Sequence, residues 1–431
     1  MGYDPRAAVT AAAEASIAAG SIDITPDASL PLAGDSDTSG LSRGVHDPLE
    51  LNALLLRAHG ATLAILTADL LFLTEPLRDR VLARVRTELA LDNASLLVAA
   101  SHTHSAPSVD PSKPRLGACD PRYAEFVAQR AVELLRRLAA AQPVPCQLEY
   151  RAGTADHAIN RRRRGWWLTP LPRRVALRAP NPAGPRDETL HVLTFSDSRA
   201  RPVAVLWSYA CHPVGFPLKT LVSADYPGVV RRVLRAAMGA ELPVLFLQGF
   251  AGDVRPRELG PQRTVARRVA ELLVGPLFAP FTPPQYAAWA ESLAARVVQV
   301  AGGTDASRQP LAPAAGQLRL MLSSLLPGAP EGRSVTFQRL AFNPELSIAA
   351  VSAEPVTAYG QALRRLFPGV VLPVGYIDTV FGYLPTTAML GERGYEDSGF
   401  MEAFGLHGRL RPDLEEIVFA AWQRLQAPGL A

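Results

Sequence analysis

Two histidines one residue apart, His102 and His104 in the stretch 98–107 (VAASHTHSAP), are the first candidates for chemistry. They follow the apolar run 96–100, so an extended segment ends by presenting two imidazoles. If the extended geometry continues through them, alternation along a strand puts both on one face. Neutral imidazole is a common zinc ligand and a frequent general acid or base. The spacing therefore allows two ligands, or one ligand and one proton-handling partner. Solvated turn histidines look the same in isolation, so the rest of the chain has to decide.

The elements that must position this pair come next. Asp69, His102, His212, Asp253, Glu354 and Asp378 each stand where an apolar, strand-like run gives way to a loop. In open α/β sheets such strand exits converge on the ligand site. The runs at 51–58 and 61–68 read as a hairpin turning at His59 and Gly60, and further extended runs lie at 94–100, 190–195, 203–209, 244–247, 317–325, 335–342, 346–351 and 370–377. Helical spacing covers 77–89, 123–141, 229–238, 261–274, 284–301, 356–366 and 414–425. The Ala-rich segment 6–19 reads as a short helix, and the Pro- and Arg-rich segment 170–188 as a surface loop. This predicts a single large α/β domain, 21–431, with mixed β-sheets flanked by helices, behind an N-terminal extension, 1–20. Within it, His102, His212 and Glu354 make a plausible zinc set. For Glu354 the alternative is a carboxylate stabilised by the dipole of the helix that follows it.

Composition narrows the function classes. With 48% hydrophobic and 19% charged residues, the chain is of ordinary globular make-up. A net charge of +4 from 44 basic and 40 acidic residues is too mild for a nucleic-acid-binding surface; the run 161–164 (RRRR) suggests a local anion-facing patch or a solvated face. Cys119, Cys146 and Cys211 are too few and scattered for a disulfide framework or a CxxC zinc site, and Cys211 reads as a packed core thiol. No apolar stretch is long enough to span a bilayer, and the start lacks a signal-peptide pattern, so a cytoplasmic location is expected.

SIDITP, TADLL, SHTHSAP, INR, CHPV, GDVRP, SAEP and GYLPT followed by GYE occur in this order from about Ser21 to Tyr395. In that order they resemble the catalytic domain of neutral, non-lysosomal ceramidases, which hydrolyse the amide bond of N-acylsphingosine with one zinc ion. The resemblance implies a domain of that fold, with His102, His212, Glu354 and Tyr383 as zinc ligands. It implies that His104, Arg161 and Tyr395 orient the substrate amide and steady the oxyanion. Asp69 of TADLL is also a family position, where a carboxylate fixes a histidine tautomer.

Two departures follow. The family carries an essential serine in GDVSP, and here Arg255 stands in that place. A permanently charged guanidinium is neither nucleophile nor base at neutral pH, so catalysis falls to zinc-activated water. Arg255 is suited to gripping a carboxylate, which suggests a small substrate that bears one; pairing with a buried carboxylate such as Asp253 is the alternative. The family's C-terminal immunoglobulin-like domain is also missing here, so ceramide itself is not expected as the substrate. The sequence reading is thus a zinc-dependent hydrolase of an amide or related acyl bond. Ring closure or acyl transfer at the same site, or a non-catalytic ligand-binding relative, are the alternatives. Oligomeric state is not legible.

Overall fold

The computed structural model describes residues 15–34, 40–167, 173–259, 269, 271–272 and 275–426. The chain begins with β1 (Ser16–Asp23), then β2 (Glu50–Ala58) and β3 (Ala61–Ala68). His59 and Gly60 join the last two with φ of 51° and 80°, the left-handed pair that a tight antiparallel hairpin requires. α1 (Glu75–Leu89) starts on Thr74, whose side chain accepts from the Leu77 amide at 3.2 Å, with Pro76 in the first turn. β4 (Leu96–Ala100) then runs parallel to β3, and α2 (Pro121–Ala140) is capped by Asp120.

After β5 (Val144–Pro145), β6 (Gln147–Thr154), β7 (Ala158–Trp167), β8 (Arg173–Asn181), β9 (Thr189–Ser196) and β10 (Pro202–Tyr209) follow one another. α3 (Asp225–Met238), β11 (Val244–Gln248), β12 (Val254–Pro256) and α4 (Pro283–Ala301) come next, α4 opening on a Thr282–Gln285 capping box. The last third holds β13 (Ser307–Gln309), β14 (Ala314–Met321), β15 (Ser334–Asn343), β16 (Leu346–Val351), β17 (Glu354–Pro355), α5 (Thr357–Leu366), β18 (Val370–Val374), β19 (Tyr383–Leu384) and α6 (Leu414–Arg424).

These strands form three main sheets, ordered β4-β3-β2-β1-β5, β11-β10-β9-β6-β13 and β14-β15-β16-β18, with two small sheets, β12-β7-β8 and β17-β19. Their inner faces meet in one core. Leu54 and Leu56 of β2, Leu97 and Ala99 of β4, Ala204 and Leu206 of β10, and Ile348 and Ala350 of β16 share it. The alternate residues face outward against helices: Leu55, Leu66 and Val98 against α1 and α2, Val205 and Trp207 against α3 and α4, Ala349 and Val351 toward α5 and α6. Central strands are thus buried on both faces, which is why they read as continuous apolar runs.

Each main sheet contains one parallel pair, β3 with β4, β10 with β11 and β16 with β18. The carboxyl ends of these pairs are stitched together: the Ala100 amide donates to Tyr376 O at 3.0 Å, Gly375 N to Gln248 O at 3.0 Å and Gly252 N to Pro355 O at 2.8 Å. Loops that leave the three sheets therefore enter one region.

Two expectations change, and a third falls mostly outside the described residues. Residues 16–19 lie in β1, antiparallel to β2, and not in a helix; the rest of the Ala-rich segment lies outside the described residues. Much of 170–188 is not a loop, because β8 pairs with β7, and its arginines and proline are tolerated in a sheet edge. The helix read at 261–274 lies largely outside the described residues.

Candidate active site

His102 is the second residue beyond β4. Its backbone leaves the extended region, with φ of 67°, while its amide donates to Leu70 O at 2.9 Å. A non-glycine residue held there is strained, and such strain collects at functional positions. Strand alternation therefore does not align the histidine pair. A turn does: the His102 and His104 rings stand nearly perpendicular, at 88° with centroids 4.9 Å apart, and their Nε2 atoms are 3.4 Å apart. Gly34 packs so closely that a methyl group in its place would overlap the His104 ring, and its own φ is 112°.

His212 arrives from β10 and Glu354 from the exit of β16. The Nε2 atoms of His102 and His212 lie 3.0 Å apart. Glu354 Oε2 lies 3.5 Å from the first and 3.3 Å from the second. All three residues are buried. The outer nitrogens set the tautomers, since His102 Nδ1 lies 3.0 Å from Leu71 O and His212 Nδ1 2.9 Å from Ala251 O. A carbonyl only accepts, so Nδ1 carries the hydrogen and a neutral ring turns a lone pair inward. Burial, and then the charge of Arg161, hold the His212 pKa well below the usual imidazole range, so this ring is neutral.

Two imidazole lone pairs and a carboxylate oxygen that has no hydrogen-bond donor among the described residues thus face one another. Acceptors buried against acceptors repel unless a cation shares their electrons, and this donor set fits a divalent metal. His102, His104 and His212 together bring ring nitrogens within 4.8 Å of one another, which adds His104 to the metal-holding candidates.

Glu354 and Tyr383 are register partners in the parallel pair β17–β19, so the tyrosine expected as a ligand enters beside the carboxylate. Its ring stacks on His212 at 4° with centroids 6.5 Å apart, and its hydroxyl accepts from Arg161 Nη2 at 3.1 Å. Burial, and then the Glu354 charge, push the phenol well above its ordinary range. Arg161 also donates from Nη2 to Gly252 O at 2.8 Å and from Nε to Glu396 Oε1 at 3.0 Å. Its guanidinium carbon lies 5.5 Å from the Tyr383 ring centroid and 5.7 Å from that of Tyr395.

Other expectations come out differently. Arg255 donates to Glu258 at 2.5 Å and lies over the Phe278 ring at 4.6 Å. Its carboxylate partner is Glu258 and not Asp253, which instead accepts from Thr357 and Asn160. Asp69 fixes no histidine tautomer: it accepts from Arg231 Nη2 at 2.8 Å and from the Glu50 amide at 2.9 Å, and backbone carbonyls do the work assigned to it. Asp378 is paired with Arg78, also buried. Arg162, read as part of a solvated face, is buried, whereas Arg164 is exposed. Cys211 is a fully buried thiol, as expected.

Sequence reasoning missed Tyr376. Its φ is 62°, its ring lies 4.3 Å from that of His102, and its buried hydroxyl has no hydrogen-bond partner among the described residues. Its place at the exit of β18, beside Asp378, was the available signal.

Fold and site together define an α/β protein whose strand exits assemble a histidine–carboxylate centre of the kind metal-dependent hydrolases use. Residues 16–267 match the family described as "Neutral/alkaline non-lysosomal ceramidase, N-terminal". The chain belongs to this family, and it is a ceramidase-like hydrolase of amide C–N bonds. Glu354, Tyr383 and Tyr395 lie beyond the matched residues. The fold likeness reaches them: a neutral ceramidase from Pseudomonas aeruginosa is 16% identical, over 96% of this chain and 74% of that one, with a TM-score of 0.75. A solved "Ceramidase complexed with C2" is likewise 16% identical, over 96% of this chain and 75% of that one, with a TM-score of 0.73. No curated protein matches. Among the described residues, no helix is long and apolar enough to cross a membrane.

Proposed function

We propose that the chain is a zinc-dependent amidase acting on a small N-acyl substrate, with His102, His212, Glu354 and Tyr383 holding one zinc ion. The observation that carries this is the meeting of two Nε2 lone pairs and the Glu354 Oε2 atom, which has no hydrogen-bond donor. When bound, zinc supplies Lewis acidity toward a carbonyl oxygen and toward water. His104, less buried than the other two imidazoles, takes the proton from the attacking water and returns it to the departing amine nitrogen. Arg161 and Tyr395 donate to the carbonyl oxygen as it gains charge. Water adds to the acyl carbon, the C–N bond breaks, and a carboxylic acid and an amine leave.

In this reading Arg255 grips no substrate carboxylate. Its ion pair with Glu258 supplies the counter-charge that a substrate carboxylate would otherwise bring.

Metal analysis and a screen of N-acyl amines test the reading. One zinc per chain is expected, with hydrolysis lost on chelation and restored by added zinc. Undiminished hydrolysis by metal-free protein would overturn it.

A further inference from the structure

Glu396 stands one residue after Tyr395 and 235 positions from Arg161, yet the fold places it between two arginines. Its oxygens are divided. Oε1 accepts from Arg161 Nε at 3.0 Å and Oε2 from Arg162 Nη1 at 2.9 Å, with all three side chains buried. Consecutive strand residues normally point to opposite faces. Here β7 carries a bulge between Asn160 and Arg162, and that irregularity lets both neighbours reach one carboxylate. At the rim Glu392 takes the second amino group of Arg162 and also accepts from Arg164, so Arg162 keeps a counter-charge of its own.

The backbone around Glu396 is equally specific. Tyr395–Gly399 forms a π turn in which Phe400 N donates to Tyr395 O at 3.0 Å and Gly399 N to Gly394 O at 3.3 Å. Such turns recur at functional positions. The Tyr395 ring meets that of Tyr383 edge-on, with centroids 5.2 Å apart. A shift of the Glu396 carboxylate would therefore move Arg161 directly and Tyr395 through the turn. With Nε on Glu396 and Nη2 on Gly252 and Tyr383, the Arg161 guanidinium is fixed along two edges, and Nη1 is committed to none of these bonds.

We propose that Glu396 is a positioning residue, holding Arg161 and Tyr395 in one geometry toward the substrate carbonyl oxygen, with Arg162 anchoring its carboxylate from behind. This rests on the roles given above to Arg161 and Tyr395. Electrostatic catalysis depends on donors set before the charge develops, so a loosened Arg161 costs turnover more than binding.

The test uses the full-length, zinc-loaded enzyme and a fluorogenic fatty-acyl aminocoumarin amide. Glu396→Gln keeps the size and removes the charge. It should lower kcat by about 10- to 100-fold, leave KM and zinc content within about twofold, and displace the Arg161 Nε–H resonance. Arg161→Ala combined with Glu396→Gln should lose less than the product of the two single losses, because only the hold on Tyr395 is left to break. Unchanged kcat with an unmoved resonance, or losses that multiply in the double variant, would overturn the proposal. Should Glu396→Gln fail to fold, Glu396→Asp keeps the charge and shortens the reach; wild-type kcat in that variant would equally count against it. If Arg161→Ala itself retains full kcat, the oxyanion role of Arg161 fails, while the resonance still reports separately on the grip of Glu396.

Discussion

The two sides of the site hold charge in opposite ways. Around His102, His212 and Glu354, lone pairs converge and the carboxylate oxygen lacks a donor. Around Arg161, Arg162 and Glu396, both oxygens of the carboxylate meet a guanidinium at ordinary hydrogen-bond length. Both regions are equally buried, so the difference is not one of solvent. Unbalanced polarity deep in a protein is costly and is retained where a ligand offsets it; balanced polarity fixes geometry instead.

The largest expected effect comes from breaking the first side. Glu354→Gln should lose zinc and reduce amide hydrolysis by more than about 100-fold, beyond the loss typical when a partner one layer out is changed. Metal content and turnover, before and after added zinc, check it. A variant that kept both its metal and its turnover would erase the contrast.

Next in size is a matched pair. Asp378→Ala leaves the Arg78 guanidinium without its buried carboxylate and should destabilise the fold by about 3–5 kcal/mol, with or without zinc. Denaturant unfolding measures it. A loss that zinc abolished would mean that the pair belongs to the metal side.

Smallest is a pH effect that sharpens the account of Arg255. Burial pushes the Glu258 carboxyl up to about 7 from 4.5, against the pull of Arg255. The folded chain then keeps a proton that the unfolded chain gives up between these two values. Stability from this group is therefore greatest below the unfolded value and falls as pH rises through the window, by about 3 kcal/mol at most. Glu258→Gln should flatten that slope; an unchanged slope between pH 5 and 7 would place the titration elsewhere.

How legible this was depends on whether the signal was local. The β2–β3 hairpin, the apolar strands and the histidines and glutamate at their exits could be read off, because two-sided burial and strand-end placement leave marks in the sequence. The inward-facing tautomers could not be, since Leu71 O and Ala251 O set them and any residue type supplies a carbonyl. Asp69 looked suited to that task by its chemistry, but Arg231 claims it from a distant helix. The burial of Arg162 and the grip of Glu396 arise from one bulge and one π turn, neither of which has a residue signature here.

The three groups that would seize zinc first hang from three different sheets, each under its own pair of helices. No two of these sheets can form the grip without the third, so affinity for the ion appears only once the whole layered body has docked. Uptake of the proposed metal during refolding would then be a late event, and it would serve as a timer for completion of the fold.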